Sequence, residues 1–232
     1  MHYPNICPAV FLRRENRFTA ALRLPTGEEI AAHVRTTGRC AELFRPGVPA
    51  WVQYAPSPAR KTAYTLITVE KAPGFLVNVD SLAPNRLFAE AVTAGAITLP
   101  AIGPVQSLRP EVTVDRSRLD FLVSGAAGEL WCELKGVTLE RDGAALFPDA
   151  PTERGLKHLA ELTDLAVRGR RTAAVFLIAM EPVTRFSPNT AAQPAFAQAL
   201  REAKAAGVEL LAYRCRVTPD SLSVLAPVPV LL

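Results

Sequence analysis

Two periodicities divide this chain. They predict a two-domain protein of α+β / α/β class, with a small all-β barrel followed by an α/β layer. Up to about residue 70 the sequence carries only short apolar runs separated by turn residues. Beyond that point helical and extended patterns take turns, as they do when helices pack on a sheet. With 232 residues, 49% apolar and 21% charged, the chain is globular in composition and long enough for one large core or two small ones.

The first part opens on a long extended stretch at residues 10–24, with a polar interruption at Arg13-Arg14-Glu15-Asn16-Arg17. Pro25-Thr26-Gly27 turns the chain, and residues 28–34 alternate loosely, as a paired strand does. Arg45-Pro46-Gly47 is a second turn, followed by a strand at 50–54. Ala55-Pro56-Ser57-Pro58 leads through Arg60 and Lys61 into a strand at 62–69. Several short strands in so few residues fit an OB-fold-like barrel most economically. Lys71-Ala72-Pro73-Gly74 marks the boundary, which gives a nucleic-acid-binding domain at 1–75 and a second domain at 76–232.

The second part begins with a helix at 85–94, opened by Pro84 and closed by Gly95. Strands follow at 105–114, 118–124 and 129–139. Thr152 is placed to cap a helix running to residue 167, which Gly169 stops. Residues 172–180 are apolar enough for a buried central strand. A helix at 193–206 and a strand at 208–217 complete the chain. The order α-β-β-β-α-β-α-β is that of a restriction-endonuclease-like (PD-(D/E)xK) α/β core.

Within that core the chemistry concentrates at Asp120, Glu133 and Lys135. Ser124-Gly125-Ala126-Ala127-Gly128 is turn chemistry, so the strands on either side form a hairpin. Side chains alternate along a strand, which puts Glu133 and Lys135 on one face and Leu134 on the other. Two carboxylates and an amine then converge. Mg²⁺ or Mn²⁺ held by such carboxylates neutralises a scissile phosphate and acidifies water. Lys135 would orient that water or stabilise charge developing on the phosphoryl oxygens. The competing reading makes all three solvated strand-end charges. Against it stands their apolar setting among Leu119, Phe121, Leu122, Trp131, Leu134 and Val137, where an unpaired charge is expensive.

Other candidates follow from position. Glu90, on the helix before the three strands, sits where an acidic residue of such cores reaches the metal; a solvent-facing helical Glu is the alternative. Arg154, Lys157 and His158 could meet a phosphate at a helix N-terminus, or simply form a basic outer stripe. In the barrel, Arg13, Arg14, Arg17, Arg35, Arg39, Arg60 and Lys61 are candidate phosphate contacts. Phe18 and Tyr54 could stack on bases, while Trp51 reads as core.

Charge points mildly to a polyanionic partner, with a basic but ordinary surface as the alternative. Residues 1–80 hold 10 Lys/Arg against 6 Asp/Glu, whereas the remainder holds 16 against 16, so the whole net charge of +4 lies in the first third. Cys7, Cys40, Cys132 and Cys215 are scattered without a C-x-x-C pair, and only His2, His33 and His158 are present, which argues against a zinc site. No apolar run approaches the roughly 20 residues of a membrane span. No secretory pattern opens the chain, and a cytoplasmic location with free thiols is expected.

Nearly the whole chain resembles the sugar fermentation stimulation protein A family. The resemblance rests on Asn16-Arg17-Phe18, Thr37-Gly38-Arg39, Arg60-Lys61-Thr62, Pro84-Asn85-Arg86-Leu87 with Glu90-Ala91, and Ser117-Arg118-Leu119-Asp120-Phe121. It continues through Glu133-Leu134-Lys135-Gly136-Val137, Phe147-Pro148-Asp149-Ala150, Thr152-Glu153-Arg154-Gly155 with Lys157-His158-Leu159, Arg185-Phe186-Ser187-Pro188 and Gly207-Val208-Glu209-Leu210. The resemblance implies an OB-like domain, a nuclease-like domain and DNA binding, with RNA also open. It carries nuclease-type positions onto Glu90, Asp120, Glu133 and Lys135. It also implies an alternative, a non-catalytic DNA-binding regulator of sugar (maltose) metabolism genes. Three positions depart from the family's usual pattern: Arg35-Thr36 before Thr37-Gly38, Gly136 after the lysine, and Val114-Asp115 ahead of the Ser-Arg pair.

Overall fold

The computed structural model describes residues 1–36, 38–57, 61–115 and 117–232. Thr37 and Arg60, both singled out in the sequence, lie outside these. The first six strands are β1 (Ile6–Asn16), β2 (Thr19–Arg23), β3 (Glu29–His33), β4 (Pro49–Tyr54), β5 (Tyr64–Ala72) and β6 (Phe75–Asn78). They form one sheet in the order β3-β2-β1-β4-β5-β6, closed by a parallel β3–β5 pairing, which is the OB barrel. The stretch read as one interrupted strand is a hairpin, because its polar residues continue β1 and the chain reverses at Arg17-Phe18. Lys71-Ala72-Pro73-Gly74, read as the boundary, is the β5–β6 hairpin, and the barrel sheet continues to Asn78.

The second part contributes α1 (Ala83–Thr93), β7 (Val105–Val114), β8 (Ser117–Gly125), β9 (Gly128–Val137), β10 (Leu139–Arg141) and β11 (Ala144–Phe147). After these come α2 (Glu153–Val167), β12 (Arg171–Ile178), β13 (Arg185–Pro188), α3 (Pro194–Ala205), β14 (Glu209–Val217) and β15 (Leu222–Pro227). Six strands make the main sheet, ordered β15-β14-β12-β9-β8-β7, with β12 parallel to both β9 and β14. The short strands β10, β11 and β13 form a separate three-stranded sheet. Thr152 caps α2 by accepting from the Gly155 N–H at 3.0 Å, as its residue type predicts.

The apolar residues of β12 explain its central place, since seven of its eight residues are buried. Phe176 stacks on Phe186 with ring centroids 4.0 Å apart, and burial of such a ring contributes roughly 2–3 kcal/mol. That cluster runs unbroken from the barrel interior (Phe11, Leu22, Leu66) to the helices α2 and α3. A second cluster lies under α1, around Phe88, Phe121 and Val175. The two parts are also tied by polar groups. Arg35 Nη1 reaches Asp80 at 2.7 Å, and the Lys71 ammonium donates to Glu140 at its carboxylate and its carbonyl. Among the described residues, no helix is long and apolar enough to cross a membrane.

Candidate active site

The site forms where two strands part. β8 and β9 pair from Gly125 opposite Gly128 as far as Phe121 opposite Cys132. Beyond that point β8 keeps its pairing with β7, and β9 keeps its pairing with β12. A buried N–H must find an acceptor. Leu134 N–H finds it in the Asp120 carboxylate, Oδ2, at 2.8 Å. Asn85, in the first turn of α1, donates its side-chain amide to the other oxygen at 3.1 Å. Asp120 is thus pinned in the gap from both sides.

Glu133 lies on the opposite side of β9 from Leu134 and is only 3% exposed. Its Oε1 accepts from the Lys135 ammonium and from His158 Nδ1, which reaches it from α2. Its Oε2 is buried and has no hydrogen-bond partner. Burial pushes the Glu133 carboxyl up, but the His158 hydrogen bond and the Lys135 charge outweigh it and hold the group below its usual range. Asp120 moves the other way: burial, and then the nearby Glu133 charge, push its carboxyl above the ordinary range.

This donor set fits a hard divalent cation. Glu133 presents an unsatisfied anionic oxygen, and Asp120 carries a charge that its neighbours penalise; a cation relieves both. Among the described residues no group of three or more His, Cys, Asp or Glu gathers as a ligand set. Two carboxylates completed by water and substrate phosphates is the usual arrangement for Mg²⁺.

The other expected residues sort clearly. Glu90 does not join the site. Its carboxylate lies 2.9 Å from the Met1 amine and 2.9 Å from Arg86 Nε. It follows Asn85 by five positions, about 140° round the helix, so one cannot face Asp120 if the other does. His158 is buried on Glu133 and is not a surface phosphate contact, whereas Arg154 and Lys157 on the same helix are exposed. Arg13 is engaged by Glu15 and Glu29 at 2.8 Å each. Arg14 is a structural tie: its guanidinium donates to the carbonyls of Asn16, Arg17, Thr36, Gly38 and Arg39, and lies 5.1 Å from the centre of the Phe44 ring. Arg35 is spent on Asp80. Arg17, Arg39 and Lys61 are exposed, and among the described residues none has a carboxylate within ion-pair distance. Asn85 and the His158–Glu133 contact escaped the sequence reading; only the Pro84-Asn85-Arg86-Leu87 and Lys157-His158-Leu159 segments pointed toward them.

An OB barrel joined to a restriction-endonuclease-like layer, with a D…ExK cluster where its hairpin splits, defines the class of this protein. Residues 12–79 match the SfsA N-terminal OB domain, and residues 82–221 match the sugar fermentation stimulation protein RE domain. The chain belongs to the sugar fermentation stimulation protein family. It is 44% identical to a sugar fermentation stimulation protein homolog of Desulfitobacterium hafniense (strain Y51) over 222 residues, covering 96% of this chain and 94% of that one. A homolog from Moorella thermoacetica is 43% identical over 233 residues, covering 98% and 97%. The structure of Pyrococcus furiosus SfsA in complex with Ca²⁺ superposes with a TM-score of 0.89 at 30% identity, covering 100% of this chain and 98% of that one.

Proposed function

We propose that this chain is a divalent-metal-dependent nuclease acting on DNA. The observation that carries the reading is the buried Glu133 carboxylate, whose Oε1 is held by Lys135 and His158 and whose Oε2 is left without a partner beside a destabilised Asp120. The Ca²⁺ complex of the Pyrococcus furiosus relative supports a divalent-cation site in this fold. Asp120 and Glu133 would hold Mg²⁺ or Mn²⁺. When bound, the cation neutralises charge at the scissile phosphate and acidifies water.

The protein's own groups supply the rest. Lys135 Nζ, held on Glu133, donates to the attacking water and to charge developing on the phosphoryl oxygens. His158 fixes the Glu133 rotamer, so Oε2 points where it is needed. Asn85 and the Leu134 N–H fix Asp120 in the same way. Arg17, Arg39 and Lys61 hold phosphates by charge, so affinity falls with salt.

One observation favours a second reading. Glu90 is withdrawn to the Met1 amine, which leaves two carboxylates for the ion and fits a non-catalytic DNA-binding regulator that uses metal only for grip. Cleavage of labelled single- and double-stranded DNA and RNA with Mg²⁺, Mn²⁺ or EDTA separates the two. Metal-dependent cleavage lost in Lys135→Ala and Asp120→Asn carries the nuclease. Salt-sensitive binding by the wild type without cleavage under any of these conditions carries the regulator.

A further inference from the structure

The end of the barrel at the β1–β2 turn carries a row of rings beside unpaired cations. Phe18, at that turn, is 50% exposed, and the Arg17 guanidinium carbon lies 5.4 Å from its ring centre. The Phe18 carbonyl accepts from the Val34 N–H at 2.8 Å and contacts His33 Nδ1 at 3.1 Å, which fixes the turn against the end of β3. There β3 meets β5, with Ala32 opposite Tyr64, and Tyr64 in turn lies opposite Tyr54 on β4. The rings of Tyr54 and Tyr64 are 5.1 Å apart, and Tyr54 is 42% exposed. Tyr64 packs against the barrel core, whereas Phe18 and Tyr54 lie outside it and are bared to solvent.

Hydrogen bonds tie this rim to residues that line a cavity against the α/β layer. Arg14 joins the β1–β2 turn to the segment after β3, donating to Arg17 on one side and to Gly38 and Arg39 on the other at 2.8–2.9 Å. Thr36 and Gly38 then line a cavity of about 190 Å³ between barrel and α/β layer. Gly38 faces that layer closely, since a Cβ added there would stand 2.2 Å from Asp149 Oδ2. Pro84 and Gly136 line the same cavity, and they are the chain neighbours of Asn85 and Lys135. Rim, bridging segment and cavity are thus connected, and the cavity wall includes the residues next in the chain to Asn85 and Lys135.

We propose that the polymer this rim grips is single-stranded DNA, its bases stacked on Phe18 and Tyr54, its phosphates on Arg17 and Arg39, and its continuation led past Gly38 toward Lys135. This rests on the nucleic-acid reading above and adds the strandedness. Unpaired bases offer open faces to aromatic rings; in a duplex those faces are covered by neighbouring base pairs. Arg17 and Arg39 flank the row with no carboxylate in ion-pair range among the described residues, which leaves their charge for phosphate.

The test is fluorescence anisotropy of the full chain in EDTA, with labelled oligonucleotides of about 16 nucleotides, the upper site size of one OB fold. The probes are single-stranded DNA, the same sequence as duplex, and single-stranded RNA. Single-stranded DNA should bind at least about tenfold more tightly than duplex, and Phe18→Ala and Tyr54→Ala should each weaken it by about tenfold. Arg39→Ala should flatten the dependence of log K on log salt by about 0.7, one single-strand phosphate contact. Both rings are half-exposed, so the variants should melt with the wild type, and thermal unfolding checks this. Duplex bound as tightly as single strand, or wild-type affinity in both ring variants, overturns the proposal while leaving the nuclease reading intact. Tighter binding of RNA overturns the choice of polymer. Binding of none of the probes, in EDTA and again with Ca²⁺, overturns the nucleic-acid reading itself along with this one.

Discussion

Replacing Asp120 with asparagine should make the metal-free protein more stable while removing its response to a divalent cation. Asp120 is held above the usual carboxylate range by burial and then by the Glu133 charge. A carboxyl whose folded pKa exceeds its unfolded value contributes stability at low pH and loses it as pH rises through the folded value, so at pH 7 its ionised form is a net cost. Asparagine keeps the volume and can still accept the Leu134 N–H, now 2.8 Å from Oδ2. Asn85, now donating at 3.1 Å, can turn its own amide to accept from the new NH₂. Relief of a charge conflict of this kind contributes about 1 kcal/mol. For a chain of this length that is roughly 2–4 °C in the melting midpoint.

The wild type should behave oppositely with metal. At a Mn²⁺ concentration about 100 times Kd, binding adds about 2.7 kcal/mol, or roughly 5–10 °C. Asp120→Asn, with one carboxylate left, should gain little, so the two proteins exchange order between EDTA and Mn²⁺. Calorimetry of both proteins at pH 7 measures this. In EDTA the gap should also close as pH falls and Asp120 takes up its proton. An Asp120→Asn protein that melts below wild type in EDTA, or shifts as far as wild type with Mn²⁺, would refute the account of the site as a strained carboxylate pair awaiting a cation.

Three further perturbations address the frame around the site. Arg35→Ala strands the Asp80 carboxylate, 3% exposed on its side chain, and should cost about 3 kcal/mol in urea denaturation, with Arg35→Ala/Asp80→Asn recovering part of it. Arg14→Ala removes the donor that five backbone carbonyls share; it should cost about 2 kcal/mol and raise amide hydrogen exchange at Thr36, Gly38 and Arg39 more than elsewhere. Glu140 feels burial most, which raises its pKa, but Lys71 and the Gly143 N–H together hold it below its usual range. A depressed folded pKa means stability present above the unfolded value, about 4.3, and lost as pH falls through the folded one. The difference in melting midpoint between wild type and Glu140→Gln should therefore be clear at pH 7 and shrink in acid.

What the sequence disclosed was what repeats locally. The Gly125-to-Gly128 turn and the alternation of Glu133, Leu134 and Lys135 are short-range signals, and the hairpin with its charged pair follows from them. The helices at 85–94, 152–167 and 193–206 carried their Pro, Thr and Gly punctuation and formed within a residue or two of it. The strands β6, β10, β11 and β13 were not legible, because each has only three or four residues and depends on partners far along the chain. Side-chain direction was the other loss. Glu90 and Asn85 both lie on α1, and composition cannot say which of two faces meets β8. His158 reads as part of a basic stripe with Arg154 and Lys157, yet it falls on the buried face of α2, 25 residues from the Glu133 it holds.

The arrangement of charge explains why these buried ions persist in the fold. A glutamate, a lysine and a histidine packed beside β12 are a poor stability device, since apolar groups of similar volume serve as well or better. Here one carboxylate oxygen is left unsatisfied, and burial and then the Glu133 charge raise the pKa of the aspartate beside it, against the opposing charge of Lys135. Ser117 and Glu161 on the same two elements, β8 and α2, bond each other at the rim. Glu133 Oε2 is buried without a partner, as are Glu161 Oε2 on α2, Thr172 Oγ1 on β12 and Glu209 Oε2 on β14. The opening lies where β8 and β9 part. A fold that needed only stability would continue the ladder through Leu134, which instead donates its N–H to Asp120. The split hairpin gives up β-pairing at Leu134 and places the Asp120 carboxylate in the gap, where it accepts that N–H.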